Sequence, residues 1–208
     1  MCIQKTTEVA TRAFEAVGVD AFLLAGSLLG WQRHGGGQIP WDTDGDTGIS
    51  QSQCVTVMKR SDSNATNIAG LVKPHVPEGF ELKYFGGKGT TDHPENEFPG
   101  CDFKQLRITS VYQKQACFTD IYLVLDEDVG DCHCSTASAD SCVRAVPEVC
   151  PNKSSLLPVV KAWLNGEVNV NLPHNLTDVL KAFYGKMPAG TDILNLKPVP
   201  KNWAFGLL

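Results

Sequence analysis

The sequence predicts an α+β fold: a mixed β-sheet flanked by helices, in a single domain over residues 1–208, with a cysteine-rich insertion at 126–150. Three observations carry this expectation. Apolar residues recur at helical and then at alternating spacing, in the order helix–strand–helix–strand–helix and then a run of strands. That order favours a mixed α/β or α+β sheet. The chain has 208 residues, 42% hydrophobic and 20% charged, which suits one globular core and is too apolar for a disordered chain. Its eight cysteines are unevenly spread, and Cys132, Cys134, Cys142 and Cys150 fall in a stretch with little periodic apolar content.

Each element has its own signal. Thr6 to Val17 reads as a helix, because Val9, Ala13, Phe14 and Val17 share a face and Gly18 follows as a stop. Val19 to Ala25 is a short buried strand. Gly26-Ser27 ends it, and Leu28 to Trp31 opens a helical segment. His34 to Gly37 is a glycine-rich loop. Asp46 to Ser50 is a second strand and Gln51 to Arg60 a helix. Residues 61–79 are Ser-, Asn- and Pro-rich loop with a helical turn at Ile68–Val72. Phe80 to Phe85 alternates as a strand, and Gly86 to Gly100 is loop. Phe103 to Val111 and Ala116 to Leu125 form a strand pair. Leu156 to Leu164 is expected to be helical after Pro158. Asn175 to Tyr184 is a helix, with Leu176, Val179, Leu180 and Phe183 on one face and Gly185 after it. No internal repeat occurs.

Composition excludes some functions. The net charge is −5 and no Lys/Arg cluster stands out, so nucleic acid is not an expected partner. No apolar run approaches the length of a membrane span. The first twenty residues are amphipathic and charged, unlike a signal peptide. Yet the even cysteine count and three sequons, at Asn64, Asn152 and Asn175, point to an oxidising secretory-pathway lumen, with the Golgi the expected station. The sequence therefore reads as a fragment or an excised domain. In the insertion, Cys-x-Cys followed by two isolated cysteines is not a standard zinc spacing, so disulfides are expected, in one of three pairings. Cys101 and Cys117 flank the predicted hairpin and could pair across it. Cys2 and Cys54 fall on predicted helices as core thiols. Trp163 and Trp203 are expected to pack, and His75, His93 and His174 to be solvated or near a cap.

The chemistry concentrates between Ala25 and Asp46. Gly26-Ser27 is a turn between strand and helix, whose backbone N–H groups suit a phosphate. Asp42, Asp44 and Asp46 alternate, so on an extended chain they share one side and repel unless a cation lies among them. Hard oxygen ligands favour Mg²⁺, Mn²⁺ or Ca²⁺. An EF-hand loop starting at Asp42 would need Gly where Thr47 stands and Glu where Gln53 stands. A solvated acidic turn does not explain the Trp-Pro step and the Gly-Ser turn just upstream.

Gly26-Ser27-Leu28-Leu29-Gly30, Arg33-His34-Gly35, and Ile39-Pro40-Trp41-Asp42 through Asp46 resemble the signature of the LicD/fukutin-related family. Phe118-Thr119-Asp120-Ile121-Tyr122 resembles the family's later strand, and the helix ending Tyr184-Gly185 its C-terminal helix. The resemblance implies a nucleotidyltransferase-like fold and transfer of a phosphorylated alcohol, of phosphocholine or ribitol phosphate type, from a CDP-activated donor to a glycan hydroxyl. It implies Mg²⁺ (or Mn²⁺) on Asp44, Asp46 and Asp120, with Asp120 as ligand or proton acceptor and Asp42 as a further member of the run. Gly26 and Ser27 would hold donor phosphates, Arg33 would pair with a phosphate, and Trp41 would touch the base or the acceptor. Gly45 departs from the family, which has an apolar residue there and so a stiffer strand. Thr43 stands where relatives often carry an acidic or aromatic residue. Two other functions are compatible with these residues: a non-catalytic lumenal glycan-binding or accessory protein, and a transferase of nucleoside monophosphates. Donor alcohol, acceptor glycan and oligomeric state are not encoded legibly.

Overall fold

The computed structural model describes residues 2–60, 67–85, 100–112, 115–127, 129–135 and 139–185. The first helix, α1 (Cys2–Ala16), starts four residues before its expected boundary. Its first turn is tightened by Thr6 and Thr7, whose hydroxyls both donate to the Ile3 carbonyl. There follow β1 (Phe22–Leu23), α2 (Ala25–Arg33), β2 (Gly45–Ser50), α3 (Gln51–Arg60) and α4 (Ile68–Val72). Then come β3 (Phe80–Phe85), β4 (Gln105–Tyr112), β5 (Gln115–Leu125) and β6 (Cys142–Val143). The chain continues through α5 (Lys153–Leu156), β7 (Val160–Leu164), β8 (Val168–Leu172) and α6 (Leu176–Tyr184). Asn67 and Asn175 cap α4 and α6 by accepting from Gly70 N and Asp178 N, as short polar side chains do at helix starts. The loop expected at Gly86 to Gly100 lies almost wholly outside the described residues, as do His93, Trp203 and the Asn64 sequon.

The main sheet runs β1-β2-β5-β4-β3, with β6 also paired to β5. β2 and β5 are parallel while the other pairs are antiparallel, so the sheet is mixed as the sequence predicts. Alternation along β5 assigns its two faces. Ile121, Leu123 and Leu125 join Ile49, Leu106 and Ile108 beneath Val9, Ala10, Ala13 and Phe14 of α1. Tyr122 and Val124 point the other way, into a second core with Phe22, Leu24 and Leu28, the valines of β8, and Val179, Leu180 and Phe183 of α6.

One helix is corrected. Of the stretch Leu156 to Leu164, expected to be helical, only Leu156 is, as the last residue of α5. Pro158 disfavours the α region for the residue before it, and Leu157 is extended (φ −123°, ψ 149°). The chain then forms β7, which pairs antiparallel with β8. That second strand, not anticipated from the sequence, carries the alternation Val168, Val170, Leu172, all of which are buried.

The cysteines are also corrected. Cys101 and Cys117 do not pair with each other, and Cys2 and Cys54 are not free thiols. Cys2 bonds Cys117, sewing the first turn of α1 to the start of β5, and Cys54 bonds Cys101, sewing α3 to the approach to β4. Cys117 sits opposite Ser110 within the β4–β5 ladder, while Cys101 precedes β4 altogether, which puts the two on different neighbours. Cys132–Cys142 and Cys134–Cys150 close the insertion on itself, so its four thiols are spent on disulfides rather than zinc.

Gly45 does not loosen its strand. It is buried against α1, and a Cβ there would stand 2.5 Å from Thr119 Oγ1 and 2.6 Å from Thr7 Oγ1. The space a side chain would fill is taken by hydroxyls: Thr6 Oγ1 and Thr7 Oγ1 lie 2.8 and 3.1 Å from Thr119 Oγ1. Gly45→Ala is therefore expected to cost about 1–3 kcal/mol by overpacking. Urea unfolding measures it, and Thr7→Ala in the same chain is expected to recover part of the loss.

Candidate active site

Strand geometry brings the carboxylates together. Asp46 on β2 is the register partner of Asp120 on β5, and parallel partners project to the same face. Asp44 is two residues before Asp46 and returns to that side. One oxygen from each of Asp44, Asp46 and Asp120 lies within 4.8 Å of the others. The face is the one opposite α1, so the hydroxyls packed on Gly45 support the site from behind without entering it.

The start of α2 grips Asp46. Its N–H donates to Ser27 Oγ at 2.8 Å, its Oδ2 accepts from Gly26 N at 3.0 Å, and its carbonyl accepts from Leu24 N at 3.1 Å. This is a helix N-terminus used on an anion of the protein itself. Gly26 is needed for closeness: a Cβ would lie 2.9 Å from Asp46 Oδ2 and 3.2 Å from Asp42 Oδ2. Beside it, Ala25 has φ +40°, a conformation that L residues adopt at a cost of roughly 1–3 kcal/mol. The strained residue stands at the junction that delivers Gly26 and Ser27 to Asp46.

Asp120 is gripped from the other side. Arg107, its register partner on β4, donates from Nε to Oδ1 at 2.5 Å and from Nη2 to Oδ2 at 3.0 Å. This two-point fork is the strongest common way to hold a carboxylate. The guanidinium lies 3.8 Å above the centroid of Phe118, the residue two before Asp120 on the same face. Tyr122 Oη, two residues after, is 3.5 Å from Asp120 Oδ2.

Crowding and burial raise the proton affinities. Burial, then Asp120 and Asp42, push Asp44 up to about 6, against a partial offset from Arg107. Asp46 is raised well above the ordinary carboxylate range by burial and by Asp44, Asp120 and Asp42, with the Gly26 N–H opposing. Asp42 is raised by burial, and hydrogen bonds with Thr43 N–H and with Asp44 oppose that. Burial followed by the neighbouring carboxylates also raises the phenols of Tyr122 and Tyr184, and Arg33 partly offsets this at Tyr184. Such clustering of raised carboxylates is a mark of functional sites.

Measured against the sequence, Asp44, Asp46 and Asp120 converge, and Asp42 is hydrogen-bonded to Asp44 at the edge of the group. Gly26 and Ser27, expected at donor phosphates, bond Asp46 in the structure, and Ser27 is 2% exposed. Arg33 is a turn and more along α2 from Gly26, near enough to Tyr184 to act on its phenol. Trp41 is 77% exposed beside Asp42. Trp163, expected to pack, is also exposed. Sequence reasoning missed Arg107 and the Tyr122 and Tyr184 phenols. Arg107 was detectable only through strand register, because thirteen residues separate it from Asp120. Asp126, also missed, is structural: its buried carboxylate accepts from Ser50 Oγ, Ser52 N and Ser52 Oγ at the start of α3.

The raised Asp44 has a consequence for stability. Its folded affinity for a proton exceeds the unfolded one (3.8 against about 6), so its contribution is favourable at low pH and is lost as pH rises through that window. Without divalent ions, Asp44→Asn is expected to stabilise the fold at pH 7.5 by about 1–3 kcal/mol and to lose that advantage below pH 4. Urea unfolding in EDTA at the two pH values measures this. A variant less stable than the parent at pH 7.5 would contradict it.

A family model described as LicD/FKTN/FKRP, nucleotidyltransferase domain, matches residues 18–121, half of the chain. The matched stretch holds the α2 junction, Asp42, Asp44 and Asp46, Arg107 and Asp120, and stops just before Tyr122. No curated protein matches the chain. The matched stretch contains the whole carboxylate cluster with the groups that grip it, and the chain belongs to the LicD/FKTN/FKRP nucleotidyltransferase-domain family of transferases.

Proposed function

We propose that the protein transfers a phosphorylated alcohol from a CDP-activated donor to a glycan hydroxyl, with Mg²⁺ or Mn²⁺ held by Asp44, Asp46 and Asp120. The observation that carries the reading is the meeting of those three carboxylates within 4.8 Å inside the family's motif. Oxygen ligands alone suit such hard ions, and like charges this close are relieved by a cation. A bound divalent ion would neutralise the donor diphosphate and the charge developing on the leaving group.

The chain's own residues supply position and proton transfer. The acceptor oxygen forms a bond to the phosphorus that carries the alcohol, the bond from that phosphorus to the CMP oxygen breaks, and CMP leaves. The acceptor proton must go to a base. Both oxygens of Asp120 already accept from Arg107, which makes it a poor base. Asp42, at the edge of the cluster and next to exposed Trp41, is the carboxylate best supported for that role. Gly26 and Ser27 serve by fixing Asp46. Arg33, near Tyr184, is assigned to the donor phosphates, and exposed Trp41, beside Asp42, to the base or acceptor.

Four disulfides among the described residues, and sequons whose Asn152 and Asn175 are exposed, support a secretory-pathway lumen, and we infer the Golgi as the working compartment.

CMP release from CDP-choline, CDP-ribitol and CDP-glycerol, with Mg²⁺ and with EDTA, tests the reading. Release with one donor, dependent on the ion and lowered at least ~100-fold by Asp46→Asn, is expected. No release with any donor, together with no metal-dependent binding of CDP, would leave the accessory, non-catalytic reading standing instead.

A further inference from the structure

Three carboxylates within 4.8 Å need positive charge even before any ligand arrives, and the structure contains a source of it. Arg107 takes both oxygens of Asp120, and its charge also acts on Asp44. Its guanidinium is not a floppy surface group: it is forked onto a carboxylate that is 3% exposed, and it lies over the Phe118 ring. We propose that Arg107 is a resident counter-cation of the carboxylate cluster, competing with a divalent ion for Asp120, so that the ion binds tightly only together with a diphosphate.

The proposal rests on the metal-dependent reading above, and follows from two further points. A carboxylate held in a fork has one lone pair on each oxygen committed to N–H groups, and the Tyr122 hydroxyl stands 3.5 Å from Oδ2 as well. The coordinating capacity left on Asp120 therefore lies mainly on Oδ1. A fixed positive charge beside that oxygen also repels a dication, and the repulsion is long-ranged in a site removed from water. A diphosphate changes the balance. It brings negative charge that both cations can share, and a guanidinium fork fits phosphate oxygens as well as it fits a carboxylate. Arg107 is thus a positioning residue that couples ion binding to donor binding.

The test is titration of the disulfide-intact chain with Mn²⁺ alone and with Mn²⁺ plus CDP, followed by electron paramagnetic resonance of free Mn²⁺. Arg107→Gln is expected to bind Mn²⁺ alone at least tenfold more tightly than the parent, and to lose most of the tightening that CDP gives the parent. Arg107→Lys keeps the charge but not the fork, and is expected to stay within a few-fold of the parent for Mn²⁺ alone. Thermal unfolding of each variant checks that the fold is intact. Unchanged or weaker Mn²⁺ binding by a folded Arg107→Gln would overturn the proposal and reduce Arg107 to an orienting role. If the parent takes up no Mn²⁺, Arg107→Gln must still acquire binding, or the proposal fails. By contrast, a parent that binds Mn²⁺ and CDP without releasing CMP from any donor would count against the proposed reaction and not against Arg107.

Discussion

The repulsion among carboxylates brought within 4.8 Å is the constraint that the rest of this structure answers. Water would screen such charges, but the cluster is partly withdrawn from it, and three groups compensate. The α2 N-terminus places an N–H on Asp46, Arg107 clasps Asp120, and Asp44 responds by holding its proton up to about pH 6. The compensation is local and partial. A fold that keeps a site in this state forgoes stability there, and other parts of the molecule must make it good.

Much of that support is covalent or lies behind the sheet. The Cys2–Cys117 bond spans 115 residues of sequence and anchors α1 just upstream of Thr119 and Asp120. Closing so long a loop removes much of the freedom of the unfolded chain. The same helix presses Thr6 and Thr7 onto Thr119 and Gly45, so one short region fixes the rear of both site strands. Farther along, α1 is tied to the β7–β8 hairpin: Glu15 pairs with Lys161 and accepts from Asn171 Nδ2. α1 therefore braces the carboxylates from a face they never touch.

What could be read from sequence follows from the range of the forces involved. The alternation of Asp42, Asp44 and Asp46, the amphipathic helices and the β3–β5 strands are local patterns, and they emerged close to their observed bounds. Gln51 to Arg60 and Phe80 to Phe85 match to the residue. Where the outcome depended on distant partners, local reading failed. Leu156 to Leu164 carries an apolar run that suits a helix, but Pro158 and the partner strand β8 made it extended. Cysteine pairing depends on which elements become neighbours in three dimensions, so the hairpin pairing of Cys101 with Cys117 was wrong. Arg107 had no local signal at all, since its role arises from register across two strands. Gly26 and Ser27 stand out in the sequence as a turn, and in the structure they bond Asp46, a carboxylate of the chain.

The surroundings of the site extend beyond the matched segment. The matched segment ends at Ile121, and it contains every acidic group of the cluster. The leading cause of the raised affinities is burial, and burial is a property of what covers the group. Tyr122 follows the segment directly, and Tyr184 is brought in by α6, whose Val179, Leu180 and Phe183 seat it in the second core. Both phenols in turn feel Asp46, and the Tyr122 hydroxyl lies 3.5 Å from Asp120 Oδ2. β8 and α6 are accordingly part of the frame on the site's side of the sheet: their apolar residues complete the second core with Leu28 and Leu29 of α2, the helix whose first turn holds Asp46.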